Sequence, residues 1–224
     1  MQSGTGAITI AVVDSGVNVP HPHLPGVAGG VAIDLEGMES DDYVDRLGHG
    51  TAASAAIHEK APGAELWAVK VFDTRLATTV ENLVRAIDWA VERGMRLVNL
   101  SLGTPNDFRK IELAPSIEAA VHAGTIVVSA AEHDGRLWYP GSMPGVVGVV
   151  MDAAEPREGV TVVERPRGPV LRASPYPRPI PGVPPERNFN GISFAVANAT
   201  GVVAQLLSSR PEVSTAAEVM HALT

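Results

Sequence analysis

Three short segments carry residue types suited to nucleophilic catalysis. They are Val12-Val13-Asp14-Ser15-Gly16, Gly48-His49-Gly50-Thr51-Ala52 and Asn190-Gly191-Ile192-Ser193-Phe194-Ala195. A serine hydroxyl is a poor nucleophile until a base takes its proton. Imidazole titrates near neutrality and suits that task. A buried carboxylate fixes the imidazole tautomer and stabilises the imidazolium. Asp14, His49 and Ser193 supply one of each, in the order Asp, His, Ser, one of the chain orders in which such triads occur. Singly, Asp14-Ser15-Gly16 reads as a turn and Ser193 as a helix cap. Together, each beside glycine, the three favour the catalytic reading.

The surrounding pattern says how they are held. Residues 7–13 form a β-branched run that ends at Asp14, a buried strand delivering a carboxylate at its C-terminal end. Residues 27–33 are a second strand, and the polar, acidic 35–46 a loop. Residues 48–58 are Ala-rich and helical, with His49 in the first turn. A strand follows at 66–71, then a helix at 78–93 on the spacing of Val80, Leu83, Val84, Ile87, Ala90 and Val91, stopped by Gly94. The unit repeats as strand 97–100, helix 111–122, Gly124 and strand 125–129, with a further strand at 146–150. Residues 192–208 read as a long apolar helix and 214–222 as a short terminal one. This alternation predicts an α/β fold, a three-layer sandwich with a mainly parallel sheet and helices on both faces. Strand and helix ends would then bring Asp14, His49 and Ser193 to the C-terminal edge of the sheet. Residues 152–187 hold many prolines and charges. They read as an irregular excursion within one domain spanning 1–224, with one hairpin over 160–163 and 169–171.

Composition narrows the function. The chain has 224 residues, 45% of them hydrophobic, enough for a sizeable core. Its formal net charge of −8 argues against nucleic acid as a partner. Without cysteine, disulfides and thiolate metal sites are excluded. No run approaches the length of a membrane span, and the first six residues lack a basic stretch followed by an apolar one. If Met1 is the native start, a cytoplasmic location follows. Glu39, Asp41, Asp42 and Asp45 lack the glycine-marked pattern of a calcium loop and read as a solvated acidic loop. His21 and His23 read as surface histidines, and no metal or cofactor is expected.

The chain resembles the subtilisin family of serine peptidases almost end to end. Beyond the three segments, the likeness covers Ala61-Pro62-Gly63-Ala64-Glu65-Leu66-Trp67-Ala68-Val69-Lys70-Val71 and Val98-Asn99-Leu100-Ser101-Leu102-Gly103. It extends to Gly124-Thr125-Ile126-Val127-Val128-Ser129-Ala130-Ala131 and Tyr139-Pro140-Gly141. The resemblance implies that Asp14 orients, His49 is the base and Ser193 the nucleophile. It implies that Ser101, Leu102 and Gly103 pair with an extended substrate. Ala130, Ala131, Glu132 and Trp138 are further expected to bind substrate, with Glu132 lining the primary pocket and Trp138 near its base. The chain departs from the family where an Asn amide completes the oxyanion hole: His133 stands there, beside the Ser193 N–H, and Glu132 replaces a glycine. Ile192 and Ala197 replace a threonine and a proline around the serine. The resulting expectation is a serine endopeptidase of low or specialised activity that hydrolyses peptide bonds through an acyl-enzyme. A shallow, acidic-walled pocket would favour a small or basic residue before the cut. A precursor or leader peptide is a possible partner. The alternatives are a catalytically impaired peptide-binding scaffold and an acyl-transferring ligase or macrocyclase.

Overall fold

The computed structural model describes residues 6–224, apart from the Glu186 side chain. At its centre β1 (Thr9–Asp14) is buried from Ile10 onward, apolar on both faces until it reaches Asp14. Alternate side chains serve opposite layers: Ile10 and Val12 join one core, Ala11 and Val13 the other. On one flank of β1 lie β4 (Glu65–Lys70), β2 (Gly29–Ile33) and the two-residue β3 (Glu39–Ser40). On the other lie β5 (Leu97–Leu100), β6 (Ile126–Ala130), β9 (Val146–Met151), β11 (Val170–Ala173) and β10 (Thr161–Val163). Only the two edge pairs, β2 with β3 and β10 with β11, run antiparallel. A separate hairpin joins β7 (Glu132–His133) to β8 (Arg136–Leu137).

Helices cover both faces, as a parallel sheet requires. α1 (His49–Lys60), α4 (Ile192–Ser209) and α5 (Ala216–Leu223) build the core with Ile10, Val12, Val128, Val147 and Val149. α2 (Val80–Glu92) and α3 (Lys110–Ala123) build the other with Ala11, Val13, Val98 and Val127. The chain moves from β4 to β5 across β1, so strand order reverses there. Open α/β sheets leave a crevice at such a reversal, beyond the C-terminal strand ends. Asp14 closes β1 at that edge and Ser101 follows β5.

The alternation read from the sequence holds, with several corrections. The expected loop at 35–46 contains β3, paired antiparallel with β2, and the β7–β8 hairpin is an addition. α4 has 18 residues and a mean hydropathy of 1.3, long and apolar enough by length and composition to cross a membrane, although no such run was expected. It is 78% buried here, packed between α1 and the sheet, which explains its hydropathy. The excursion at 152–187 contains the expected hairpin, but β11 also joins the main sheet parallel to β9, with Leu171 and Ala173 in the core. Asp45 does not belong to a solvated loop: it is 4% exposed.

α1 and α4 cross closely because their contact residues are small. A Cβ at Gly201 would stand 2.9 Å from Lys60 Cβ. Lys60 Nζ turns along the crossing and donates to Asn198 Oδ1 at 2.7 Å. Burial pulls the Lys60 ammonium down to about 8.

Candidate active site

Asp14 is fully buried at the end of β1. His49, 7% exposed, is the first residue of α1. Its Nδ1 lies 2.7 Å from Asp14 Oδ1. A carboxylate at that distance makes Nδ1 the protonated nitrogen and leaves Nε2 free to accept a proton. The same Asp14 oxygen accepts the Ser15 N–H at 2.7 Å, while Oδ2 is buried with no hydrogen-bond partner. Burial alone would lower the His49 pKa; the bond and the charge of Asp14 outweigh it and raise the value above 6.5. The close approach needs glycine: a Cβ on Gly50 would collide with the carbonyl oxygen of Gly16.

Ser193 sits in the first turn of α4. Its hydroxyl donates to the Ser101 carbonyl at 3.0 Å, so in this conformation it is not bonded to His49. A chain of buried polar groups ties this helix to β5. Thr200 Oγ1 donates to Asn99 Oδ1 at 2.9 Å, Asn99 Nδ2 to Ser101 Oγ at 2.8 Å, and Ser101 Oγ to the Ser193 carbonyl at 3.3 Å. The contact between the two helices at the site is aromatic. Phe194, next to Ser193, has its ring centroid 4.9 Å from that of His49. Phe189 stacks on Phe194 at 5.8 Å and reaches His49 edge-on at 6.2 Å, while staying 47% exposed. The sequence reading missed Asn99, Thr200, Phe189 and Phe194. Asn99 carried a usable signal: it lies two residues before Ser101, hence on the same face of an otherwise apolar strand.

The residues expected to bind substrate lie on two segments, 101–104 and 130–133, that backbone hydrogen bonds join through residues 138 and 139. Thr104, directly after Ser101, Leu102 and Gly103, exchanges backbone hydrogen bonds with Tyr139 at 2.9 Å in each direction. Trp138 N–H donates to the Ala131 carbonyl at 2.9 Å. Residues 138 and 139 therefore bridge the 101–104 segment and the 130–133 segment. The Trp138 indole lies against Gly103, where a Cβ would be 3.5 Å from its Cε3, and its ring stands 5.7 Å from that of His133. His133 Nε2 is 3.4 Å from Asp134 Oδ2, and its Nδ1 is buried without a partner.

Glu132 pairs across the hairpin with Leu137, and His133 with Arg136. Strand alternation puts Glu132 on the face opposite His133 and Trp138. Glu132 and Leu137 line a cavity of about 960 Å³ behind the hairpin, bounded by Met143, Val150, Arg165 and Val170. This large cavity contains none of Asp14, His49 and Ser193. The expected acidic wall and the indole therefore do not share one pocket. The Asp14–His49 bond, rather than cavity size, marks the candidate site.

A buried carboxylate bonded to an imidazole, at the edge of a parallel sheet with a serine on a facing helix, defines the serine-hydrolase class of site. Residues 5–154 match the subtilase family, peptidase S8, a span that includes Asp14 and His49. The chain belongs to the subtilase family. It is 32% identical over 228 residues to the thermostable alkaline protease of Halalkalibacterium halodurans, covering 93% of this chain and 58% of that protein. With subtilisin NAT of Bacillus subtilis subsp. natto the identity is 28% over 227 residues, covering 94% and 58%. The chain thus spans a little over half the length of these curated relatives. The solved structure of the nisin leader peptidase NisP from Lactococcus lactis aligns with a TM-score of 0.73 at 17% identity, covering 96% of this chain and 81% of that one. The architecture is the subtilisin-like α/β fold.

Proposed function

We propose that this chain is a serine endopeptidase that cleaves peptide bonds through an acyl-enzyme, with Asp14, His49 and Ser193 as its triad. The 2.7 Å bond between Asp14 and His49 carries this reading, because it fixes the tautomer a general base needs. The Ser193 hydroxyl rotates from the Ser101 carbonyl towards His49 Nε2, loses its proton there and attacks the substrate carbonyl. Imidazolium then returns the proton to the leaving amine, and water repeats the sequence in reverse on the ester. The developing oxyanion takes hydrogen bonds from the Ser193 N–H, which lies in the unpaired first turn of α4. His133 supplies the second donor. In this conformation Nε2 faces the Asp134 carboxylate at 3.4 Å and Nδ1 is buried, so that role requires the ring to turn its N–H towards Ser193.

The contact of the Trp138 indole with Gly103 and the backbone bonds of residues 138 and 139 support a floor between the 101–104 and 130–133 segments, which favours a small residue before the cut. The opposite placement of Glu132 withdraws support for a basic one. Structural likeness to a leader peptidase makes a precursor peptide the substrate class we favour. A non-catalytic peptide-binding role is the second reading, motivated by the unusual His133. Fluorophosphonate labelling of wild type and Ser193→Ala distinguishes them. Stoichiometric labelling of wild type alone supports the peptidase; no labelling of folded wild type refutes it. Product mass then separates hydrolysis, which adds water, from ligation or macrocyclisation, which does not.

A further inference from the structure

An α-helix begins with N–H groups that have no partner inside the helix, and a side chain at the cap position usually receives one. α1 has Gly48 there, with φ of 78° and no side chain to offer. The acceptor comes instead from Asp45. Its Oδ2 accepts the Thr51 N–H at 2.9 Å and the Thr51 hydroxyl at 2.7 Å. Its Oδ1 accepts the Gly48 N–H at 2.8 Å, the Leu47 N–H at 2.9 Å and the Ser15 hydroxyl at 2.8 Å. The Ser15 oxygen in turn accepts the Gly50 N–H at 2.9 Å. Ser15 follows Asp14, and His49 lies between Gly48 and Gly50. One buried carboxylate therefore grips both the strand end that carries the acid and the helix start that carries the base.

We propose that Asp45 is the positioning residue that sets His49 against Asp14, and that Ser15 is the link through which it does so. The proposal rests on the reading of Asp14, His49 and Ser193 as a triad. Five donors converge on this carboxylate, and an amide could not accept them all without turning its own N–H groups on a donor. Burial would raise the Asp45 pKa, but the Thr51, Leu47 and Ser15 bonds outweigh it and hold the group below the usual carboxylate range. It therefore stays ionised wherever His49 titrates. Its charge adds to that of Asp14 in raising the His49 pKa. The groups facing Asp45 are Ser15 from the end of β1 and Thr51 from α1, with Asn18 Nδ2 on its carbonyl at 2.8 Å. Arg46 turns away to Asp42 at 2.7 Å and Asp73 at 3.2 Å.

The test compares Asp45→Asn, Ser15→Ala and Asp42→Asn with wild type, using a chromogenic tetrapeptide amide with alanine before the cut. Misplacing a base by a fraction of an ångström costs tens of fold in turnover, so Asp45→Asn is expected to lower kcat at least about tenfold with KM little changed. Its acid limb moves to lower pH, because His49 loses a neighbouring negative charge. Ser15→Ala lowers kcat by a smaller factor and leaves the acid limb in place. Asp42→Asn matches wild type. Folded Asp45→Asn with wild-type kcat and acid limb overturns the proposal. Should Asp45→Asn fail to fold, Ser15→Ala decides, and unchanged kcat there overturns it. If wild type cleaves no substrate, the triad reading is what fails. The His49 Nδ1 proton resonance then judges Asp45 by itself: displacement from its low-field position in Asp45→Asn supports the role, and an unchanged resonance refutes it.

Discussion

Replacing Trp138 by glycine should change which side chain the enzyme accepts before the cut. The indole stands on the backbone bridge between the 101–104 and 130–133 segments, against Gly103 and His133, and it is half-buried. Removing it empties the floor without breaking that bridge, which uses only backbone groups of residue 138. An aromatic side chain presents about 150 Å² of surface to bury. In a cleft open to solvent roughly half of that is covered, and at about 25 cal/mol per Å² this is worth about 2 kcal/mol. Expressed in the transition state, about 2 kcal/mol is roughly 30-fold in kcat/KM. The assay is a matched pair of peptide amides with alanine or phenylalanine before the cut, read as the ratio of the two kcat/KM values. Trp138→Gly should raise the phenylalanine-to-alanine ratio by roughly that factor over wild type. A folded variant that still cleaves the alanine peptide, with no change in the ratio, would refute the placement of the indole in the pocket.

Two further outcomes follow from the site. His133→Ala should lower kcat about 100-fold with little change in KM, the usual cost of one oxyanion donor; wild-type kcat in a folded His133→Ala protein would remove His133 from the hole. The His49 pKa is raised, and only the neutral imidazole can act as base, so kcat/KM should reach half its plateau above pH 6.5. A raised histidine stabilises the fold below pH 6.5 and loses that increment as pH climbs through its folded pKa. Activity should therefore increase across the window in which the His49 contribution to stability declines, a contribution that His23 and His58, whose pKa values are lowered by burial, oppose near pH 6.5; an acid limb centred below pH 6.5 would contradict this.

Periodicity made most of the layers legible. The spacing of Leu83, Ile87 and Ala90 describes α2, and the Thr79 side chain caps it by accepting the Asn82 N–H at 3.1 Å. Gly124 closes α3 in a left-handed conformation, as its position suggests. The β7–β8 hairpin was not foreseen, although Asp134-Gly135 is the two-residue sequence such a turn favours, with φ of 51° and 70°. That stretch was read residue by residue against the family's pattern, which carried no information on the turn or on the opposite faces of Glu132 and Trp138. Asp45 illustrates a different limit. Its residue type and acidic neighbours point to solvent, and its burial depends on Ser15, which is 30 positions away in the chain. Local patterns record what a segment prefers alone; they do not record which distant donors will meet it.

The close crossing of α1 and α4 gives the fold a calliper. His49 lies at the start of one jaw and Ser193 at the start of the other, and the two are pressed together where Gly201 meets Lys60, about two helical turns beyond Ser193. Bulk added at that remote pinch, as in Gly201→Leu, should spread the jaws and open the gap between imidazole and hydroxyl. On the triad reading, kcat should fall as the side chain at position 201 grows, although that side chain never meets a substrate.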